Sequence, residues 1–160
     1  MRRGSDNSGY ATQRDQRAAR SGAVAYILAP HAVSFGLEYV SPLTRRRPFA
    51  HEFVHNLDGM LELLEHVGRP NVGVMLDCFH WHCAGESGDD LRRLRAAQII
   101  AVHVNDLVAD IPVEEQTVFE RELPGATGIV DITALLPTLS DSGSARPITA
   151  QPTRPPVTNL

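Results

Sequence analysis

Residues 75–85 read MLDCFHWHCAG, with one Asp, two His and two Cys closing an apolar run. Three readings compete: a zinc-binding knuckle, a piece of a catalytic metal site, or a polar loop rich in His. A knuckle needs two closely spaced cysteines and a second ligand pair downstream. Cys78 and Cys83 have no such second pair. The residues just before them, NVGVMLD (71–77), decide the fold, because they read as a β-strand and side chains in a strand alternate between two faces. Val72, Val74 and Leu76 share one face; Gly73, Met75 and Asp77 share the other, with Asp77 at its end.

Working outward, the same pattern recurs on both sides. VSFGLEYV (33–40) sets Val33, Phe35 and Leu37 against Ser34, Gly36 and Glu38. IIAVHVND (99–106) sets Ile100, Val102 and Val104 against Ile99, Ala101 and His103. RPITAQP (146–152) sets Ile148 and Ala150 against Thr149 and Gln151. Helical segments lie before and between these strands. One runs from Asp15 to Pro30, with a break expected at Ser21-Gly22. Val54, Leu57, Leu61, Leu64 and Val67 recur at helical spacing and stop at Gly68, with Pro70 just beyond. SGDDLRRLRAAQ (87–98) offers Ser or Asp as a cap, and Asp131 caps a segment reaching Leu139 despite Pro137 inside it.

Alternating strands and helices predict an α/β fold with a parallel sheet. One strand face is bulky, as packing under helices requires; the other is small and carries a polar residue near the strand's C-terminal end. That is the pattern of a partial (β/α)8 TIM barrel of about four βα units, with its chemistry at the C-terminal rim. Residues 1–14 lack periodicity and are expected to be disordered, residues 15–152 form the half-barrel domain, and 153–160 are a tail.

Composition narrows the function. With 160 residues, 42% hydrophobic and 21% charged, the chain can bury a core. A net charge of -4 argues against nucleic acid as a partner. All fifteen basic residues are Arg, which excludes a Schiff-base lysine. No apolar run approaches the roughly 18 residues a membrane span needs, and the start MRRGSDNSGY has no apolar core of a secretory signal. Two cysteines make no disulfide framework, so a cytoplasmic location is expected.

Glu38, Asp77 and His103 share both face and strand position. A lone acid or His at a strand end is more often a cap or a loop hydrogen-bonder. Three of them in register point to a metal site, and oxygen with imidazole suits Mn, Mg, Co or Zn. His80 and His82 are placed on a rim loop where substrate would sit. Trp81 could stack on a sugar ring or simply be packed, and Cys78 reads as a small core residue.

The stretches FGLEYV, VGVMLDCFHWH, IIAVHVND, RELPGATGIVDI and RPITAQP together resemble the sugar isomerase/epimerase superfamily of xylose-isomerase-like barrels. The resemblance covers residues from about 15 to 152. It implies a divalent metal held by Glu38, Asp77, His103 and Gln151, with His80 touching substrate hydroxyls and Arg121 reaching the substrate. Gln151 departs from the family, which usually has Glu there. An amide oxygen can coordinate a metal but does not accept a proton as a carboxylate does, so Glu38 is the one evident base. The implied activity is isomerisation or epimerisation of a sugar, sugar phosphate or polyol. A metal-dependent lyase or dehydratase, or a catalytically inactive half-barrel, are the alternatives. The resemblance begins at the fifth strand of a barrel that takes roughly 250 residues when complete, so the chain reads as a C-terminal half. Its two open edges, with Met75 and Ile99 exposed on the inner face, would call for a missing N-terminal half or a second copy.

Overall fold

In a computed structural model, residues 9–153 are described, and they form a four-stranded parallel sheet with helices against it. The strands β1 (Phe35–Leu37), β2 (Val72–Asp77), β3 (Ile99–Val104) and β4 (Ile148–Ala150) lie side by side in chain order. Helices α1 (Tyr10–Leu28), α2 (Leu43–Arg46), α3 (Leu57–Val67), α4 (Cys78–Cys83), α5 (Gly88–Leu91) and α6 (Ile132–Asp141) complete the chain. This is the expected α/β architecture of a partial barrel.

The core forms where the bulky strand face meets the helices. Val72, Val74 and Leu76 of β2 are buried with Leu57, Met60, Leu63 and Val67 of α3 and with Ala18 and Ala25 of α1. The sequence sets both ends of α3. The Asn56 side chain accepts the Gly59 N–H at 3.0 Å, and Gly68 closes the helix in the left-handed region at φ 59°, which a residue without Cβ adopts freely. The buried face runs through Met60 and Leu63, while Leu61 and Leu64 are only partly buried.

Several expectations need correction. The first helix starts at Tyr10 rather than Asp15 and passes unbroken through Ser21-Gly22. Contacts with α3 override the local cost of glycine: Tyr10 Oη and Arg14 Nη1 bond the Glu62 carboxylate at 2.8 and 2.7 Å. Part of the expected disordered segment is therefore helical, while residues 1–8 and 154–160 lie outside the described residues. In β3 the assignment of Ile99 and Ile100 is reversed. The register slips between Val74 and Met75, so Ile99 pairs with Val74 and is fully buried, and Ile100 approaches Gly36 and Gly73 on the inner face. The slip occurs at a close approach of backbones, since a Cβ on Gly73 would lie 2.2 Å from the Gln98 carbonyl oxygen. From Ala101 onward the expected faces hold, with Met75 opposite Ala101 and Asp77 opposite His103. Pro137 sits inside α6, and the carbonyl it leaves without a donor belongs to exposed Thr133, where water can serve it. Both sheet edges are short, and all three residues of β4 are exposed.

Candidate functional site

The residues CFHWHC, expected on a rim loop, instead form α4, which begins directly after β2. Asp77 makes this possible, because its Oδ1 accepts the Phe79 N–H at 2.9 Å and so caps the helix. The same oxygen accepts from Asn105 Nδ2 at 3.1 Å. Oδ2 accepts from Arg121 Nη1 at 2.7 Å, a pair in which both side chains are buried. Asp77 is thus oriented by one backbone and two side-chain donors.

His80 follows on α4 and is buried. Its Nδ1 accepts the Ser41 N–H at 3.3 Å, which places the proton of the neutral ring on Nε2. Burial pushes its pKa down to about 4, the nearby Asp77 opposes this and Arg121 adds to it, so the ring is neutral at pH 7. A buried, neutral imidazole with Nε2–H is a hydrogen-bond donor. Glu38 stands just past β1, and the donor atoms of Glu38, Asp77 and His80 all lie within 4.8 Å of one another.

His103 faces Asp77 across the β2–β3 ladder, and its Nδ1 is buried without a hydrogen-bond partner among the described residues. His103 is not among the residues whose donor atoms lie within 4.8 Å of one another, but an orphaned ring nitrogen opposite Asp77 fits a bound cation better than it fits a finished core. Gln151 reaches the site indirectly: its Oε1 accepts from the same Arg121 Nη1 at 3.0 Å, and its N–H bonds the Val104 carbonyl. Glu38, Asp77 and His80 come together, with His103 opposite Asp77 on the next strand, and these residues offer the oxygen and imidazole atoms that divalent ions take.

The structure separates the remaining candidates. His82 lies two positions beyond His80, roughly 200° around a helix of 3.6 residues per turn, and is not in the cluster. Trp81 is buried and its Nε1 donates to the Ser87 carbonyl, so it packs rather than forming a platform for a sugar. Cys78 is a buried core residue against the Asn105 backbone, and burial pushes both its thiol and that of Cys83 up to about 12, which disfavours thiolate ligands. Arg121, expected to reach the substrate, extends to Asp77 and Gln151, with its guanidinium 4.6 Å from the Phe79 ring centroid. Sequence reasoning missed Ser41 and Asn105. Asn105 carried a signal, since it is a buried amide beside the strand that bears His103; the Ser41 contact is through backbone and left none.

The chain as a whole is similar to known proteins. The chain matches the family described as xylose isomerase-like TIM barrel over residues 3–158. It is 30% identical to the inosose isomerase of Halalkalibacterium halodurans over 130 residues, which is 81% of this chain and 43% of that protein. The inosose isomerase of Bacillus subtilis is also 30% identical, over 129 residues and with the same shares of the two chains. Among solved structures, a xylose isomerase domain protein from Alicyclobacillus acidocaldarius superposes with a TM-score of 0.85 at 31% identity, covering 98% of this chain and 55% of that one. The IOLI protein, solved with a binding zinc atom, gives a TM-score of 0.75 at 25% identity, covering 89% and 48%. The chain belongs to the xylose isomerase-like TIM barrel family. It spans less than half the length of the curated relatives it matches.

Proposed function

We propose that this chain carries the metal-binding part of an isomerase or epimerase acting on a sugar, sugar phosphate or polyol, with inosose-like cyclic ketoses as the first substrates to test. The convergence of Glu38, Asp77 and His80 at the C-terminal ends of neighbouring strands carries this reading. The inosose isomerase relatives and the zinc-bearing IOLI protein support it.

Glu38, Asp77 and His103, with Gln151 as a neutral fourth donor, would hold a divalent cation; Mn, Mg, Co and Zn all suit them. When bound, the cation supplies a Lewis acid that polarises a substrate carbonyl. Glu38 would take the proton from the hydroxyl-bearing carbon next to that carbonyl and return it to the former carbonyl carbon. The hydroxyl proton passes to the former carbonyl oxygen, and the neighbouring oxygen becomes the new carbonyl. Nε2–H of His80 is the donor for a substrate oxygen, a role its neutral, buried ring can hold across the physiological range. Asp77, as a metal ligand oriented by Asn105 and the Phe79 N–H, and Gln151, as an amide, do not serve as bases, so one base serves both proton transfers. That favours a carbonyl shift between neighbouring carbons over a two-base inversion. We assign a carbohydrate partner, no nucleic acid and a cytoplasmic setting; no described helix is long and apolar enough to cross a membrane. The inner face and the exposed β4 edge are completed by four more βα units or a second copy.

Metal content after purification, followed by activity on a panel of inososes and ketoses, tests the reading. Glu38→Gln should leave the fold intact and lower turnover by about 10²–10⁴-fold. A protein that stays metal-free in excess Mn²⁺ and Zn²⁺, or whose activity survives Glu38→Gln, sinks it.

A further inference from the structure

We propose that Arg121 is a built-in cation that competes with the divalent metal for Asp77, so that metal loading requires its guanidinium to leave. The inference rests on the metal reading above and concerns how this chain controls its own site.

Three observations carry it. First, one nitrogen, Nη1 of Arg121, bonds both Asp77 Oδ2 and Gln151 Oε1, at 2.7 and 3.0 Å. These are two of the four residues expected to hold the metal, so the guanidinium bridges one side of the centre. Asp77 is the shared anion. Its other oxygen is already committed to the Phe79 N–H and to Asn105, which leaves Oδ2 as the contested atom.

Second, the hold on Arg121 is incomplete. Its Nε is buried with no hydrogen-bond partner among the described residues, and a buried cationic group with an unused donor is costly to keep. Gln151 contributes to this state. As a neutral amide it accepts one hydrogen bond but adds no second negative charge, so among the described residues Asp77 is the one anion paired with Arg121. The Phe79 ring face supplies the remaining support.

Third, the donor atoms of Glu38 and His80 are within 4.8 Å of Asp77. A divalent ion drawn to that cluster brings two positive charges close to the guanidinium in a buried setting, where like charges repel strongly. Asp77 Oδ2 can serve one cation fully or the other, and the metal wins only by displacing Arg121. The backbone of Arg121 is anchored by paired hydrogen bonds to Thr153, 2.6 and 3.1 Å long, so the departure is a side-chain swing.

Mn²⁺ titration of the full chain, wild type beside Arg121→Gln and Arg121→Lys, tests the competition, with circular dichroism confirming the fold of each. Arg121→Gln removes the charge and should bind Mn²⁺ at least tenfold more tightly than wild type. Arg121→Lys keeps the charge and should stay near wild type. If Arg121 merely positions Asp77, Arg121→Gln binds equally or more weakly, and the proposal is overturned while the metal reading stands. Binding by neither wild type nor Arg121→Gln overturns both. Should Arg121→Gln fail to fold, nuclear magnetic resonance on the ¹⁵N-labelled wild type decides. The Arg121 Nε–H signal should shift in proportion to bound Zn²⁺; a signal unmoved while zinc binds refutes the displacement.

Discussion

Asp77 and Asp106 look alike in the sequence, one ending a core strand and the other just beyond the next, and both are buried, yet they do opposite work. Asp106 spends both oxygens on backbone. Oδ1 accepts from Leu107 and Val130, and Oδ2 from Thr127 and Gly128, at 2.8–3.0 Å. Together with the backbone bridge to Glu122 this ties the long segment after β3 into one piece. Asp77 takes one backbone donor and two side chains, Asn105 and Arg121. Backbone donors fixed by a fold leave only when the segment unfolds, whereas a side-chain donor can rotate away. Asp106 is therefore committed to structure, and Asp77 is available to a ligand.

The largest expected effect separating the two is Asp106→Ala. It strips an ionised acceptor from four donors at once and should cost about 3–5 kcal/mol in chemical denaturation. A loss below about 1 kcal/mol, the value of a single ordinary hydrogen bond, would erase the distinction. Asp77→Asn comes next, at about 2–3 kcal/mol, because it keeps an amide oxygen for the helix cap but takes the charge partner from Arg121. Unlike the Asp106 variant it should also lower divalent-ion affinity at least tenfold, measured by Mn²⁺ titration. Asn105→Ala should cost about 1 kcal/mol and weaken metal binding about tenfold by loosening Asp77. Comparable metal affinity in wild type and Asn105→Ala would remove Asn105 from the site.

The smallest effect is a pH dependence. Burial raises the Asp106 pKa, but the N–H donors of Val130, Thr127 and Gly128 outweigh it and hold the carboxyl below its ordinary range. A group with a depressed folded pKa stabilises fully above its unfolded value and loses that contribution as pH falls through the folded one. Stability assigned to Asp106 should thus persist through neutral and mildly acid pH and fade below the usual aspartate range. Urea unfolding midpoints of wild type and Asp106→Asn should converge only at that acid end.

The layout of strands and helices was legible in the sequence because alternation along β2 and punctuation at Gly68 are local signals. Three kinds of feature were not. The reversal of Ile99 and Ile100 depends on how closely Gly73 approaches Gln98, a contact between separate segments. The helical start at Tyr10 depends on Glu62, more than fifty positions away. In the site, Glu38 and Asp77 could be read from strand position, and His80 from the resemblance. The engagement of Arg121 with Asp77 and Gln151 could not, since a guanidinium on a long side chain carries no register. His82 was placed near substrate on the assumption of a loop, and the helix begun by the Asp77 cap turns it away.

The strand order β1-β2-β3-β4 follows the order of synthesis. Among the described strands, each of β2, β3 and β4 pairs with the strand made just before it, and none of them threads between two others. Asp77, on β2, gains His103 with β3 and Gln151 after β4, so the candidate site is assembled stepwise and is complete only when the last strand has docked.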